Sequence, residues 1–213
     1  MTHVFFDLDG TLLDSADGIV RAYEAVACRF SIPYRDVYEF RRVIGPPLYQ
    51  CFLEDGIPKE KHAEALSVFQ EYYARKGVYE NRPYDGVREA LVSLREAGVH
   101  TYVVTAKPEH FALSILERLS LLSLFDGVRG ADMDEREADK RFLLGDLLKR
   151  EGITPSARMA MVGDRSYDIL GGRSLGIYTV GVLWGNGSRE ELLLAGADRL
   201  FAKRSELCSL SSL

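Results

Sequence analysis

The feature that most constrains this chain is its first apolar run and what ends it. Val4-Phe5-Phe6 reads as a short buried strand, and it stops at Asp7-Leu8-Asp9-Gly10-Thr11-Leu12. Gly10 lets the backbone turn sharply there. Asp7 and Asp9 then sit where ligands usually bind in open α/β sheets, just beyond a strand's carboxyl end. In a regular strand, residues two apart share a face, which sets Asp7 and Asp9 side by side. Close carboxylates raise each other's pKa unless a cation or donors hold them. The pair is either a solvated turn, since Asp and Gly are common turn formers, or part of an acid-plus-metal site.

The rest of the chain decides the fold class. Ser15 can cap a helix over about 16–30, with Ile19, Ala22, Tyr23, Val26 and Phe30 on one face. A second helix is predicted over about 34–43. Gly45-Pro46-Pro47 breaks it and starts a third, and a fourth covers about Lys59 to Lys76. With no strand signal among them, residues 14–83 read as a helical insertion. The main domain is then 1–13 and 84–213. Its strands are predicted at Val99–Val104 (ending at Thr105), Asp126–Arg129, Arg158–Val162, Ile177–Leu183 and Leu200-Phe201, with helices between. Such alternation gives a Rossmann-like, doubly wound, mostly parallel sheet with helices on both faces.

Several function classes are disfavoured. A net charge of -5 and the lack of a dense basic cluster argue against a nucleic-acid surface. No run reaches the roughly 20 apolar residues of a membrane helix. Cys28, Cys51 and Cys208 are odd in number and widely spaced, and no secretory signal precedes them, so the expectation is reduced thiols in the cytoplasm. His3, His62, His100 and His110 lack H-x-x-x-H spacing, which disfavours zinc.

Four places fall at strand ends or just after one: Asp7/Asp9, Thr105, Lys140 and Asp164/Asp168. Each has a plain alternative. Thr105 could cap a helix, Lys140 could be one more solvated lysine, and Gly163-Asp164-Arg165-Ser166-Tyr167-Asp168 could be a turn with acids at a favourable helix end. Together they form a crevice whose four carboxylates cannot all stay ionised without a cation. An all-oxygen set selects a hard ion, and Mg²⁺ fits, with Lys140, the Thr105 hydroxyl and the Ala106 N–H suited to a phosphate's oxygens. Lys107 and Lys149 are the other candidate lysines. Lys107 lies beside Pro108 where the chain turns, and Lys149 lies late on its helix, whereas Lys140 opens that helix.

With these residues in place, the sequence resembles a phosphatase of the haloacid dehalogenase superfamily, in its phosphoglycolate-phosphatase-like branch. Asp7 to Leu12, Val103-Val104-Thr105, Lys140 and Gly163 to Asp168 carry the broad match. Asp14-Ser15, Phe40 to Leu48 and Val182 to Ser188 carry the narrower one. The resemblance implies that the insertion is an α-helical cap and that Asp7 is the nucleophile. Asp9 would be acid and then base, and Mg²⁺ would be held by Asp7, the Asp9 main chain, Asp164 and Asp168. The substrate would be a small phosphorylated metabolite: 2-phosphoglycolate, a nucleoside 5′-monophosphate or a sugar phosphate. A sugar phosphomutase and a non-enzymatic binding protein are the competing readings, and a monomer or weak homodimer is expected. Arg41 and Arg42, before Gly45-Pro46, would suit a substrate carboxylate if they faced the site, or be a solvated pair if they did not.

Overall fold

The computed structural model describes residues 1–134 and 138–213. Strand β1 (His3–Phe6) is followed by a two-residue strand β2 (Leu13–Asp14). Helices α1 (Ala16–Phe30), α2 (Leu48–Glu54) and α3 (His62–Arg75) come next, with short 3₁₀ turns between them, and β3 (Arg82–Pro83) closes the segment. The remainder alternates: α4 (Val87–Glu96), β4 (His100–Pro108), α5 (Glu109–Arg118), β5 (Gly127–Ala131), α6 (Lys140–Arg150), β6 (Met159–Gly163), α7 (Ser166–Ser174), β7 (Tyr178–Val182), α8 (Arg189–Leu194) and β8 (Arg199–Phe201).

Six strands form one parallel sheet in the order β5-β4-β1-β6-β7-β8. A parallel sheet needs both faces covered, and β1 shows how the sequence meets that need. Val4 and Phe6 pack into one apolar cluster with α4 and α5, while Phe5 packs into another with Leu143, Leu144, Leu147 and Leu148 of α6. The strand period of two thus feeds both sides. Because Phe6 is level with Val103 of β4 and with Val162 of β6, the acids after β1 emerge beside Thr105 and Asp164.

The helical segment leaves and rejoins the sheet domain through a narrow antiparallel ribbon, in which Leu13 pairs with Pro83 and Asp14 with Arg82. Its buried residues, including Tyr23, Phe52 and Phe69, belong to the same apolar cluster as Val4 and Phe6. Among the described residues, no helix is long and apolar enough to cross a membrane.

Three local expectations change. The helix expected over 34–43 is a 3₁₀ stretch, Val37–Val43, which starts where the Asp36 carboxylate accepts from the Tyr38 N–H. Ser15 precedes α1, but its hydroxyl makes no capping bond and is buried without a partner among the described residues. The strand expected to end near Thr105 runs on to Pro108, with a register shift in its pairing with β5 between the two.

Candidate active site

The crevice at the carboxyl end of the sheet is built from its central strands outward. The Asp7 N–H still belongs to the sheet and donates to the Val162 carbonyl at 2.9 Å, so the first acid is anchored at the end of β1. The chain then folds back on itself. Leu8 O accepts from the Leu12 and Leu13 N–H groups at 3.0 and 2.9 Å, and Gly10 takes φ +84. That turn presses against Asp164: a Cβ on Gly10 would come within 2.4 Å of Asp164 Oδ2. The Thr11 hydroxyl donates to Asp164 Oδ1 at 3.1 Å, and the Asn186 N–H donates to Oδ2 at 2.7 Å. Trp184 completes the wrap, its indole N–H donating to Thr11 O at 3.0 Å.

Asp168 enters from the first turn of α7, where it also accepts from the Arg165 N–H at 3.1 Å. Gly163 makes room for it, since a Cβ there would lie 2.1 Å from the Asp168 carboxyl carbon. Lys140, the first residue of α6, reaches across from the far side. Its Nζ lies 2.5 Å from Asp7 Oδ1 and 2.7 Å from Asp168 Oδ1, and it donates to Val104 O at 2.8 Å. The ammonium is thus tolerated at a helix N-terminus because two carboxylates of the chain itself face it.

Asp7, Asp164 and Asp168 are all buried and offer ligand oxygens within 4.8 Å of one another. Among the described residues, Lys140 is the cation that contacts Asp7 and Asp168. One ammonium does not satisfy three carboxylates: Asp7 is pushed up to about 8, chiefly by burial, with Asp168 and Asp164 adding to the rise and Lys140 opposing it. Asp164 is pushed up to about 6, by burial first and then by Asp168. Lys140 stays charged, since the neighbouring acids outweigh the effect of its own burial. A pocket of oxygens short of positive charge, with no imidazole or thiol in the set, fits a hard divalent cation.

A cavity opens from these groups toward the helical segment. Thr105, Ala106, Lys107 and Arg165 line it from the sheet domain, and Val43, Pro46, Leu48, Phe69, Gln70 and Tyr73 line it from the insertion. Hydrogen bonds cross between its walls: Arg165 donates to Ile44 O while bound to Glu191, and Gln70 donates to Met133 O at 2.5 Å.

Asp7, Asp9, Thr105, Ala106, Lys140 and Asp168 all line this cavity, and Asp164 lies directly behind them. Arg41 and Arg42 do not reach it. The 3₁₀ stretch buries Phe40 and Val43, which turns the two arginines outward. Arg42 instead binds the Asp55 carboxylate at 2.6 and 2.7 Å, and Arg41 lies over the Tyr38 ring at 5.2 Å. Lys107 faces the cavity and pairs with Asp9 at 2.5 Å, a contact its position beside Pro108 did not suggest. Arg165 and Asn186 lie inside motifs that the sequence displayed, but without a role assigned to them, and Tyr73 had no signal of its own.

Acids at the end of the central strand, a buried lysine and a strand-end threonine, set in a doubly wound sheet, suit phosphoryl-transfer chemistry. Comparison with known proteins narrows the class. Residues 4–182 match the family model for haloacid dehalogenase-like hydrolases, and the chain belongs to that family. It is 36% identical to a 5′-nucleotidase of Pseudomonas aeruginosa over 191 residues, covering 89% of this chain and 86% of that one. It is 29% identical to a phosphoglycolate phosphatase of Vibrio cholerae, covering 92% and 90%. A crystal structure of a predicted phosphatase from Clostridium acetobutylicum superposes with a TM-score of 0.93 at 35% identity, over 98% of this chain and 96% of that one.

Proposed function

We propose that the protein is a Mg²⁺-dependent phosphatase of small phosphate monoesters, acting through a phosphorylated Asp7. The observation that carries this is the buried triad Asp7, Asp164 and Asp168, whose three acids are met by one lysine among the described residues. When bound by these residues and the Asp9 main chain, Mg²⁺ supplies the positive charge that offsets them and the incoming phosphate.

The chain's own groups then divide the work. Lys140 and the Thr105 hydroxyl hold the phosphate's peripheral oxygens, and position the phosphorus in line with Asp7. A bond forms from the Asp7 carboxylate to phosphorus as the ester P–O bond breaks, and Asp9 gives its proton to the leaving oxygen. Asp9 then takes a proton from water, whose oxygen attacks phosphorus. The Asp7–phosphate bond breaks, releasing inorganic phosphate and restoring Asp7. The helical insertion acts as the cap over this chemistry, limiting the site to small substrates.

The cavity walls favour an uncharged leaving group. Among the described residues, the cations that line it are partnered, Lys107 by Asp9, Lys140 by Asp7 and Asp168, and Arg165 by Glu191, while Ile19, Val43, Pro46, Pro47, Leu48, Phe69 and Phe111 present apolar surface. With Arg41 and Arg42 turned away, the carboxylate of 2-phosphoglycolate lacks the arginine proposed for it. A nucleoside 5′-monophosphate or an aryl phosphate suits such walls better. The test is release of inorganic phosphate from a panel of 2-phosphoglycolate, nucleoside 5′-monophosphates, sugar phosphates and 4-nitrophenyl phosphate, with and without Mg²⁺. Metal-dependent release is expected, with the uncharged leaving groups ahead. Isomerised sugar phosphate in place of free phosphate would make the protein a mutase. Full activity in a verified metal-free preparation would overturn the metal assignment.

A further inference from the structure

Lys107 and Asp9 form a second ion pair in the cavity, apart from the one around Lys140. Lys107 Nζ donates to Asp9 Oδ1 at 2.5 Å, and the two side chains are only 5% and 12% exposed. The ammonium lies 4.9 Å from the centre of the Tyr73 ring, which reaches down from α3 of the helical insertion. Tyr73 is itself held firmly. Its ring packs against Phe69 and Phe111 at 5.8 and 5.4 Å, and its hydroxyl accepts from Asn81 Nδ2 at 3.3 Å. The same Asn81 amide donates to Gly77 O at 2.6 Å, and a Cβ on Gly77 would meet the Tyr73 ring at 2.5 Å.

These contacts matter because of what Asp9 has to do. The terminal torsion of an aspartate is broad, so a carboxylate at a turn has no preferred aim unless something anchors one of its oxygens. Proton transfer demands aim, because the reacting heavy atoms must come within about 2.6–3.2 Å. Lys107 takes Oδ1 and leaves Oδ2 for chemistry. Lys140, by contrast, sits on Asp7 and Asp168, at the opposite end of the acidic cluster.

We infer that Lys107 is a positioning residue for Asp9: seated on Tyr73 of the insertion, it fixes Oδ1 and so aims Oδ2 at the leaving oxygen and then at water. This rests on Asp9 serving as the acid and base proposed above. It also couples the acid to the insertion, since the ring that seats the lysine belongs to that segment.

The test compares Lys107→Met, Lys107→Arg, Asp9→Asn and the double variant Asp9→Asn/Lys107→Met. Each is assayed on 4-nitrophenyl phosphate, whose leaving oxygen needs little help from an acid, and on the best alkyl phosphate of the panel. Tyr73→Leu is carried alongside in case Lys107→Met fails to fold. A positioning lysine should make Lys107→Met a weaker copy of Asp9→Asn. Turnover of the alkyl ester should fall by about 10²-fold, while KM and nitrophenyl ester cleavage change far less. Lys107→Arg should restore part of the loss, and the double variant should be no slower on the alkyl ester than Asp9→Asn alone. Tyr73→Leu should show the same leaving-group dependence, at smaller size.

Other outcomes overturn the inference. Equal loss on both esters with a raised KM, and additive losses in the double variant, would make Lys107 a phosphate ligand. Unchanged or faster turnover in Lys107→Met would show that it restrains Asp9 or does nothing for it. Either result leaves the phosphatase reading standing if Asp9→Asn itself depends on the leaving group. Absence of phosphate release by the unaltered protein from any ester would sink both.

Discussion

Lys140 Nζ and Asp7 Oδ1 lie 2.5 Å apart, although 133 residues separate them in the chain. The contact joins the end of the first strand to the first turn of α6, and Asp168 closes it from α7 at 2.7 Å. Lys140 is therefore a structural partner of the acids as well as a candidate phosphate ligand.

This double role shapes the first prediction. Lys140→Ala should lower transition-state stabilisation by about 2–4 kcal/mol, the loss typical of one charged donor to the reacting group. It should also reduce the stability of the metal-free protein, because removing one partner of a buried ion pair costs about 3–5 kcal/mol. Mg²⁺ should restore much of that stability but little of the turnover. Steady-state kinetics and thermal melts with and without Mg²⁺ separate the two effects. A silent Lys140→Ala would remove the lysine from the site.

The two N-terminal acids should fail differently. Asp7→Asn removes the nucleophile, so no phosphorylated enzyme should form on any ester. Asp9→Asn keeps the nucleophile and should lose about 10²–10⁴-fold, the usual contribution of a general acid or base. Trapping the phosphorylated enzyme with borohydride should label Asp7. A label on any other residue would overturn its assignment as nucleophile.

The site residues legible in the sequence are those set by strand ends. Asp7, Thr105 and Asp164 follow apolar runs, and a parallel sheet brings the carboxyl ends of neighbouring strands to one edge whatever the side-chain packing elsewhere. Lys140 was readable because it opens a helix, where an unpaired cation is unfavourable. Arg41 and Arg42 were not. Their aim depends on whether residues 37–43 turn with three residues per turn or 3.6, and the choice is made by the Asp36 cap and the burial of Phe40 and Val43. Lys107 was visible as a candidate lysine, but its partner was not, since Asp9 lies 98 residues away in the chain and only the fold brings the two together. Tyr73 belongs to an apolar stripe of α3 that looks like any helix packing face until the insertion is docked on the sheet domain.

Two glycines give a matched pair of tests. Gly163→Ala would place a methyl 2.1 Å from the Asp168 carboxyl carbon, so it should displace that acid and abolish most activity, with a weaker response to Mg²⁺. Gly145 lies within α6, and a Cβ added there would meet nothing within 4 Å. Gly145→Ala should leave activity intact and raise stability by up to about 1 kcal/mol, from helix propensity alone. Melting temperature and activity measured on both would test the crowding behind Asp168 against a general sensitivity to added methyls.

Loss of the arginine pair should spare the chemistry. Arg42→Ala breaks the pair with Asp55, which lies away from the cavity, and Arg41→Ala frees an exposed side chain. Neither should change the ratio of activities on carboxylated and uncarboxylated esters, although Arg42→Ala should lower stability, because the Asp55 carboxylate that it leaves behind is only 12% exposed. A selective loss on 2-phosphoglycolate in either variant would bring the arginines back to the substrate.

The last prediction concerns pH and metal together. Asp7 and Asp164 are both raised above the ordinary carboxylate value of 3.8, to about 8 and about 6, mainly by burial. Between 3.8 and these values the folded state binds more protons than the unfolded state. The slope of stability with pH has the sign of the protons bound unfolded minus those bound folded, so it is negative across this window. Metal-free protein should therefore lose stability as pH rises from about 4 to about 8, the window set by these two acids. A divalent cation binds the ionised acids in place of protons, so its stabilising effect should grow over the same interval. Melting temperatures at fixed ionic strength, in EDTA and in excess Mg²⁺, give both curves at once. The gap between them should widen with pH, and should narrow when Asp164→Asn removes one of the acids. A gap that is constant with pH, or that closes as pH rises, would mean that these carboxylates are already ionised in the metal-free fold and that something other than burial sets their charge.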